Sequence, residues 1–441
     1  MSIKVEVKSL SAELRKKIHL DLTLYLESEY AKQTLYAYDI RGNPEIIYLP
    51  YAYAKSMGFN SKSKEEYPSS NFTYKRKEFP LREEQVKVKD EVISILNEQN
   101  SCIMAPPTGF GKTALSLYIA SILKLKVLYI NNNLTIIDQI YSSIQKFTTA
   151  KAQIVHPKDI INPDCDIYII NSINVSKFSE SFFNNIGTLI IDEVHCILSK
   201  VFSRCMHYIN PKYLIGLSAT PYREDGLNKL FDLYFGENKI IRKLNKYHRV
   251  YKINSPIKPI IKTTSFGKLD WNAVIDSLSD NKIRNEKCIE ILRKFNDRVF
   301  IVPCKRVSQV EYLYNRLVEN GENVDALYGK KKTYNPNCRI LIGTTKKIGI
   351  GFDNPRTDAI LLACDMESYF IQALGRSMRT PTVEPIVIDI VDSFHSLYKH
   401  WKTREEVYKD HGGEIFNLNW DTLTEGNLIE NEFKLLGVRK Q

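Results

Sequence analysis

The sequence predicts an α/β protein of two lobes, each built on a parallel sheet, with a small accessory domain at the amino terminus. Three observations lead there. Short apolar runs recur at residues 102–105, 127–130, 166–171, 188–192 and 213–218, each followed by a segment of helical character. Buried strands alternating with helices are what a parallel sheet covered on both faces requires. A second series follows at residues 298–302, 324–327, 339–343, 359–362 and 385–390, with helices such as 307–320 between them. The pattern weakens after Asn238, and residues 253–268 carry two prolines among Ser, Thr and Gly, which suits a connector.

The expected organisation is an accessory domain at 1–75, a first lobe at 76–240, a connector at 241–280, a second lobe at 281–400 and a tail at 401–441. The first 75 residues stand apart because they are rich in Tyr and Lys and end in a polar stretch, 61–70, that resembles a linker. The tail reads as helical at first and irregular around Gly412, Gly413 and Gly426.

At 441 residues and 43% hydrophobic content, the chain can bury several cores. Its longest apolar stretches, 360–364 and 213–219, fall far short of the roughly 18 residues of a membrane helix. Residues 1–20 alternate charged and apolar side chains and lack a secretory h-region, so the expectation is a soluble intracellular protein. Eight cysteines form no CxxC pair, which favours free buried thiols over zinc or an iron–sulfur cluster. A formal charge of +11 favours a polyanionic partner, although many basic proteins bind none.

The chemistry concentrates in a few segments. Pro107, Thr108, Gly109, Phe110, Gly111, Lys112 and Thr113 follow an apolar run and precede a helical segment, the context of a phosphate-binding loop. Glycines let backbone amides turn toward phosphates, the helix amino terminus supplies positive dipole, Lys112 reaches the outer phosphates and Thr113 can ligate magnesium. The strict pattern has glycine where Pro106 stands, so a plain glycine turn beside a lysine is the competing explanation. Asp192 and Glu193 end the apolar run 188–191, at the strand end where open α/β sheets place ligands. Asp192 would hold magnesium and Glu193 would orient or deprotonate an attacking water. Alone, such a pair is commonly just solvated. Ser218 opens the run Ser218–Ala219–Thr220–Pro221, whose hydroxyls could bond the preceding carboxylates. In the second lobe Gln372 precedes Arg376 and Arg379, two arginines on one helical face that fit a finger role as well as an exposed basic patch. Asp353 lies in a glycine-rich strand-end loop at 349–355, and Lys330, Lys331 and Lys332 form either a nucleic-acid contact or a solvated loop.

Taken in order, PTGFGKT, DEVH, SAT, GIGFDNP and QALGRSMR resemble the motif series of the superfamily 2 helicases, spanning residues 81–379. The long third motif SATPYREDG resembles the branch that holds the xeroderma pigmentosum group B and UvsW-like proteins and helicases of large DNA viruses. GFGKT is also similar to poxvirus transcript-release helicases. The resemblance implies two RecA-like domains with ATP in the cleft between them, and ATP and magnesium as cofactors. By position it implies Lys112 and Thr113 on ATP and magnesium, with Asp192 and Glu193 coordinating and activating. Arg376 and Arg379 would act from across the cleft, Gln85 would read adenine, and Asp353 and Gln372 would join the nucleotide site. Residues 132–134 and Ser172 match places where the family touches the nucleic-acid backbone. The expected activity is ATP-driven movement along or unwinding of nucleic acid, DNA favoured over RNA. The alternative is a remodeller or transcript-release factor that strips proteins or RNA without processive unwinding.

Overall fold

A computed structural model describes residues 1–28, 31–41, 45–107, 109–197, 206–218, 228–242, 246–265, 267–331, 333–349, 356–366 and 383–425. The chain divides into two compact units, Met1–Pro106 with Phe110–Arg242, and Lys243–Gln441 with Pro107–Gly109.

The first unit is organised by a seven-stranded parallel sheet. Its order is Lys239–Ile241, Ser101–Ala105, Tyr213–Leu217, Thr188–Ile191, Val127–Asn131, Ile167–Asn171 and Ala152–Ile154. The five central strands are buried at every position, as continuous apolar runs between two helical layers must be. The helices follow from their spacing. In Glu83–Gln99, Gln85, Val88, Val92 and Leu96 share the buried face, and Asn100 ends the helix at φ +62° with its amide on the Leu96 carbonyl. Each of the five strands expected in this lobe is present within a residue or two. The two edge strands, Lys239–Ile241 and Ala152–Ile154, carry too few apolar residues to stand out in sequence.

The amino-terminal segment forms a three-stranded antiparallel sheet in the order Ser2–Glu6, Ile46–Pro50, Asp39–Arg41, and a hairpin of Thr23–Ser28 with Ala31–Tyr36. It does not have a core of its own. Met1, Ile3, Leu49 and Tyr51 belong to one apolar cluster with Ile103, Leu128, Leu214 and Phe231 of the large sheet and its helices. Polar contacts reinforce the seam: Tyr51 Oη donates to the Lys212 carbonyl at 2.7 Å, and Glu180 accepts from Tyr48 Oη and Lys4 Nζ, both at 2.7 Å. The stretch read as a linker, 61–70, is likewise pinned. Tyr67 is buried with its hydroxyl on the Asn210 carbonyl, Ser69 bridges Leu125, and Ser70 Oγ donates to Asp166 at 2.7 Å. Its polar residues satisfy backbone and carboxylate groups of the first lobe, which composition alone does not reveal.

The second unit holds another seven-stranded parallel sheet, in the order Val324–Leu327, Ile340–Thr344, Phe300–Cys304, Ala359–Leu362, Ile386–Asp392, His248–Ser255 and Gly413–Leu418. The five expected strands are present. Two more come from segments read otherwise: His248–Ser255 from the connector, and Gly413–Leu418 from the tail. His248–Ser255 hides as a strand because charged and polar residues interrupt its apolar ones without a regular period, yet its polar members are accommodated inside. Lys252 is buried with its ammonium over the Tyr398 and Trp401 rings. Two buried guanidinium clamps fix this sheet. Arg404 makes bonds of 2.8 and 2.9 Å to Asp389 and 2.8 Å to Asp365, while Arg284 holds Asp392 and the Ala363 carbonyl. Among the described residues seven cysteines are free, six of them buried, and no helix is long and apolar enough to cross a membrane.

The shared amino-terminal core has a measurable consequence. Leu49→Ala, at a fully buried position, should cost about 2–5 kcal/mol and lower the denaturation midpoint of the whole first unit in one transition. A separate early transition, with the remainder of the unit unfolding as in the wild type, would show an independent amino-terminal domain instead.

Candidate functional site

In a parallel sheet every strand finishes at the same edge, so residues that follow the strands line up in strand order. Across the first unit this edge carries the loop after Ser101–Ala105, Ser218 after Tyr213–Leu217, Asp192 after Thr188–Ile191, Asn131 at the end of Val127–Asn131, and Asn171 with Ser172 at the end of Ile167–Asn171. Segments more than a hundred positions apart in the chain are thereby neighbours.

The loop turns through two left-handed glycines, Gly109 at φ +83° and Gly111 at φ +90°, the second capping the helix Lys112–Leu123. Its position is set from the side by the helix Glu83–Gln99. Gln85, buried, donates from Nε2 to the Phe110 carbonyl at 2.7 Å and accepts the Arg82 amide at 2.9 Å. Arg82 also donates to the Phe110 carbonyl and lies over the Phe110 ring. A methyl group on Gly111 would stand 2.7 Å from Gln85 Nε2 and would need a left-handed backbone that side-chain-bearing residues rarely adopt, so a substitution there is strained. Gln85, expected from resemblance to read adenine, thus has its amide engaged with the loop itself. Lys112 Nζ donates to the Pro106 carbonyl at 3.1 Å, curling the side chain back over the loop.

The carboxylates lie beside this lysine. Asp192 is buried and accepts from the Glu193 amide at 3.0 Å and from Asn131 Nδ2 at 3.2 Å. Burial, with the Glu193 carboxylate beside it, pushes the Asp192 carboxyl above the usual carboxylate range, and Lys112 and the two hydrogen bonds pull it back. Glu193 has φ +48°, a left-handed conformation that costs a side-chain-bearing residue about 1–3 kcal/mol. Glu193 Oε2 lies 3.5 Å from His195 Nδ1, and the same nitrogen is 2.9 Å from Ser218 Oγ. Ser218, expected to bond the carboxylates, meets the imidazole next to them. Thr113 sits on the first turn of the helix, where Ser116 Oγ donates to its carbonyl at 2.9 Å.

Two contributors escape sequence reasoning. Asn131 is fully buried and links Asp192 to the following loop, its Oδ1 accepting the Asn133 amide at 2.7 Å. Its only signal was an asparagine ending an otherwise apolar run. Tyr129 is fully buried beside the helix Lys112–Leu123, with its hydroxyl next to the Ser116 and Thr113 side chains. Burial raises its phenol far above the usual range, and the nearby Asp192 adds to this. At the next strand end Asn171 donates to the Asn132 carbonyl at 3.4 Å, and Ser172 is buried with Oγ unpartnered among the described residues. Within the first unit the structure therefore brings together Gln85, Phe110, Gly111, Lys112, Thr113, Asp192 and Glu193, with Pro107 and Gly109 just before them in the chain. Thr108, Asp353, Gln372, Arg376 and Arg379 lie outside the described residues.

Residues 78–223 match the family described as "Type III restriction enzyme, res subunit". Over 400 residues the chain is 36% identical to "Putative helicase 161L" of Invertebrate iridescent virus 6, covering 85% of this chain and 90% of that protein. It is 24% identical over 395 residues to "DNA 3'-5' translocase XPB2" of Sulfurisphaera tokodaii, covering 74% of this chain and 87% of that one. Among solved structures it is similar to "S. cerevisiae Dbp5 bound to RNA and ADP BeF3", with a TM-score of 0.56, 14% identity, and coverage of 78% of this chain and 96% of that chain. At that identity the likeness speaks for the fold alone, two tandem RecA-like sheets.

The tight fit at Gly111 predicts a local defect. Gly111→Ala meets both the positive φ and the Gln85 amide, and should weaken ATP binding at least 10-fold by calorimetric titration while far-UV circular dichroism is unchanged. Wild-type affinity in this variant would show that the brace does not set the loop.

Proposed function

Because the chain belongs to the superfamily 2 helicases, enzymes that hydrolyse ATP to act on nucleic acid, we propose that the loop Pro107–Thr113 and the turn Asp192–Glu193 form its ATP site. The observation that carries this reading is the meeting of Lys112, Asp192 and Glu193 at one sheet edge, with Lys112 close enough to pull down the Asp192 carboxyl. Lys112 binds the outer phosphates, and the amides of Gly109 to Thr113 surround them. Glu193, presented by a left-handed turn at the strand end, positions the attacking water and takes its proton. His195, hydrogen-bonded to Ser218, lies against the Glu193 carboxylate.

Buried Asp192 and the Thr113 side chain, which both lie beside Tyr129, supply hard oxygens that suit magnesium. Thr113 and Asp192 would hold the ion, which supplies charge neutralisation for the phosphates. Gln372, Arg376, Arg379 and Asp353 are the second lobe's contribution on motif grounds, with the arginines offsetting charge on the transferred phosphoryl group.

For the polymer, DNA is the favoured track. The relative from Sulfurisphaera tokodaii is named a DNA translocase, and the net charge of +11 suits phosphate contacts. Residues 132–134 and Ser172, which follow strands of the same sheet, would touch the backbone, and residues 1–75 would serve as a substrate-facing module of the first unit.

ATPase assays with single-stranded DNA, branched DNA and RNA test this. Lys112→Ala and Glu193→Gln should each reduce stimulated turnover by about 10²–10⁴-fold, Glu193→Gln while keeping ATP affinity. DNA stimulation should decline steeply with salt. Equal turnover with and without every nucleic acid would sink the proposed coupling.

A further inference from the structure

Antiparallel hairpins at a protein surface normally put apolar side chains inward and polar ones outward. The hairpin of Thr23–Ser28 with Ala31–Tyr36 keeps the first half of this rule, since Leu24 and Leu35 are paired and buried. Its outward face departs from the second half. Tyr25 is 77% exposed and Tyr36 47% exposed, on the same face and diagonal to each other across the strands. Two further rings extend this surface. His19, from the helix Ala12–Asp21, stacks on Tyr36 with centroids 5.9 Å apart and planes at 26°. Tyr38 meets both edge-on, at 5.8 Å from Tyr36 and 6.2 Å from His19, and its hydroxyl is 2.8 Å from His19 Nδ1. The rings are thus oriented by one another before any ligand arrives.

We propose that this face is a stacking platform for unpaired nucleobases, with Tyr25 and Tyr36 as its open rings, His19 and Tyr38 holding Tyr36 in place, and Lys16 at its rim. The inference rests on the nucleic-acid reading above and extends it to a second contact region. Exposed aromatic rings attract π faces, and only single-stranded, frayed or extruded bases present them; in a duplex those faces are covered. Charge selects the same partner. Lys16 lies one turn before His19 on the exposed side of its helix and, among the described residues, enters no ion pair, whereas neighbouring Lys17 is engaged by Asp21 at 2.8 Å. A phosphate running past the platform would meet that lysine. The chain's overall charge of +11 favours a polyanion over an apolar protein partner for the same rings.

Fluorescence anisotropy with a labelled oligothymidylate and with a blunt duplex provides the test, using the full chain. The double variant Tyr25→Ala, Tyr36→Ala should bind oligothymidylate about 10-fold more weakly, with less than a twofold change for the duplex. The corresponding Tyr→Phe pair should stay within twofold of wild type on both. ATPase kcat at saturating oligonucleotide should be unchanged, the loss appearing in the concentration needed for half-stimulation. Tyr25 is largely exposed and Tyr36 loses only its contacts with two surface rings, so melting temperature should fall only slightly. Oligothymidylate binding by the alanine variant within twofold of wild type would overturn the platform, as would an equal loss on duplex and single strand. Wild-type protein whose ATPase responds to no nucleic acid would overturn the translocase reading itself.

Discussion

The shared direction of the strands is the constraint on which the rest of the first unit depends. Strands buried on both faces are mostly apolar, so most of the chemistry is displaced to the point where each strand emerges. Parallel pairing then assembles those points into a row. Lys112, Ser218, Asp192, Asn131 and Asn171 are adjacent for that reason. Side-chain bonds join neighbouring members of the row: His195 to Ser218, Asn131 to Asp192, Asn171 to the Asn132 carbonyl. The proposed ATP residues and the proposed backbone contacts are therefore parts of one hydrogen-bonded edge.

Around that edge, local strain is concentrated where placement matters. Glu193 occupies a left-handed conformation without being glycine, and Gly111 is confined by the Gln85 amide. Each is tolerable only because its surroundings are fixed, Glu193 by the buried strand before it and Gly111 by the helix Glu83–Gln99. Gln85 illustrates how one side chain can serve the loop from outside. By accepting the Arg82 amide and donating to Phe110 it ties the start of a helix to the turn of the phosphate loop. In this arrangement any reading of a base by Gln85 would be accompanied by a change in the loop's support.

Much of the fold was legible in the sequence because its central strands are uninterrupted apolar runs, as at Val127–Asn131 and Thr188–Ile191. The strands that escaped notice break this pattern. His248–Ser255 contains Lys252 and Arg249, and its burial depends on aromatic rings from the helix His395–Asp410, about 150 residues later. Gly413–Leu418 sits among glycines that suggested a turn. The candidate site was legible where a single motif carries its own chemistry, as around Lys112 and Asp192. It was not legible where function arises from two distant residues meeting. Asn131 under Asp192 and His195 against Ser218 are products of strand order, which local composition does not encode. The polar stretch 61–70 is a similar case, since Ser70 looks like a linker residue until Asp166 is beside it.

The common core of the amino-terminal strands and the large sheet also bears on how such a protein can diversify. Ile3, Leu49 and Tyr51 pack with Leu128, Leu214 and Phe231, so the segment cannot be exchanged as a cassette without rebuilding the helical layer beneath it. New substrate preferences would have to arise on its outward surface, one exposed side chain at a time, while the buried seam is inherited as a unit with the catalytic lobe.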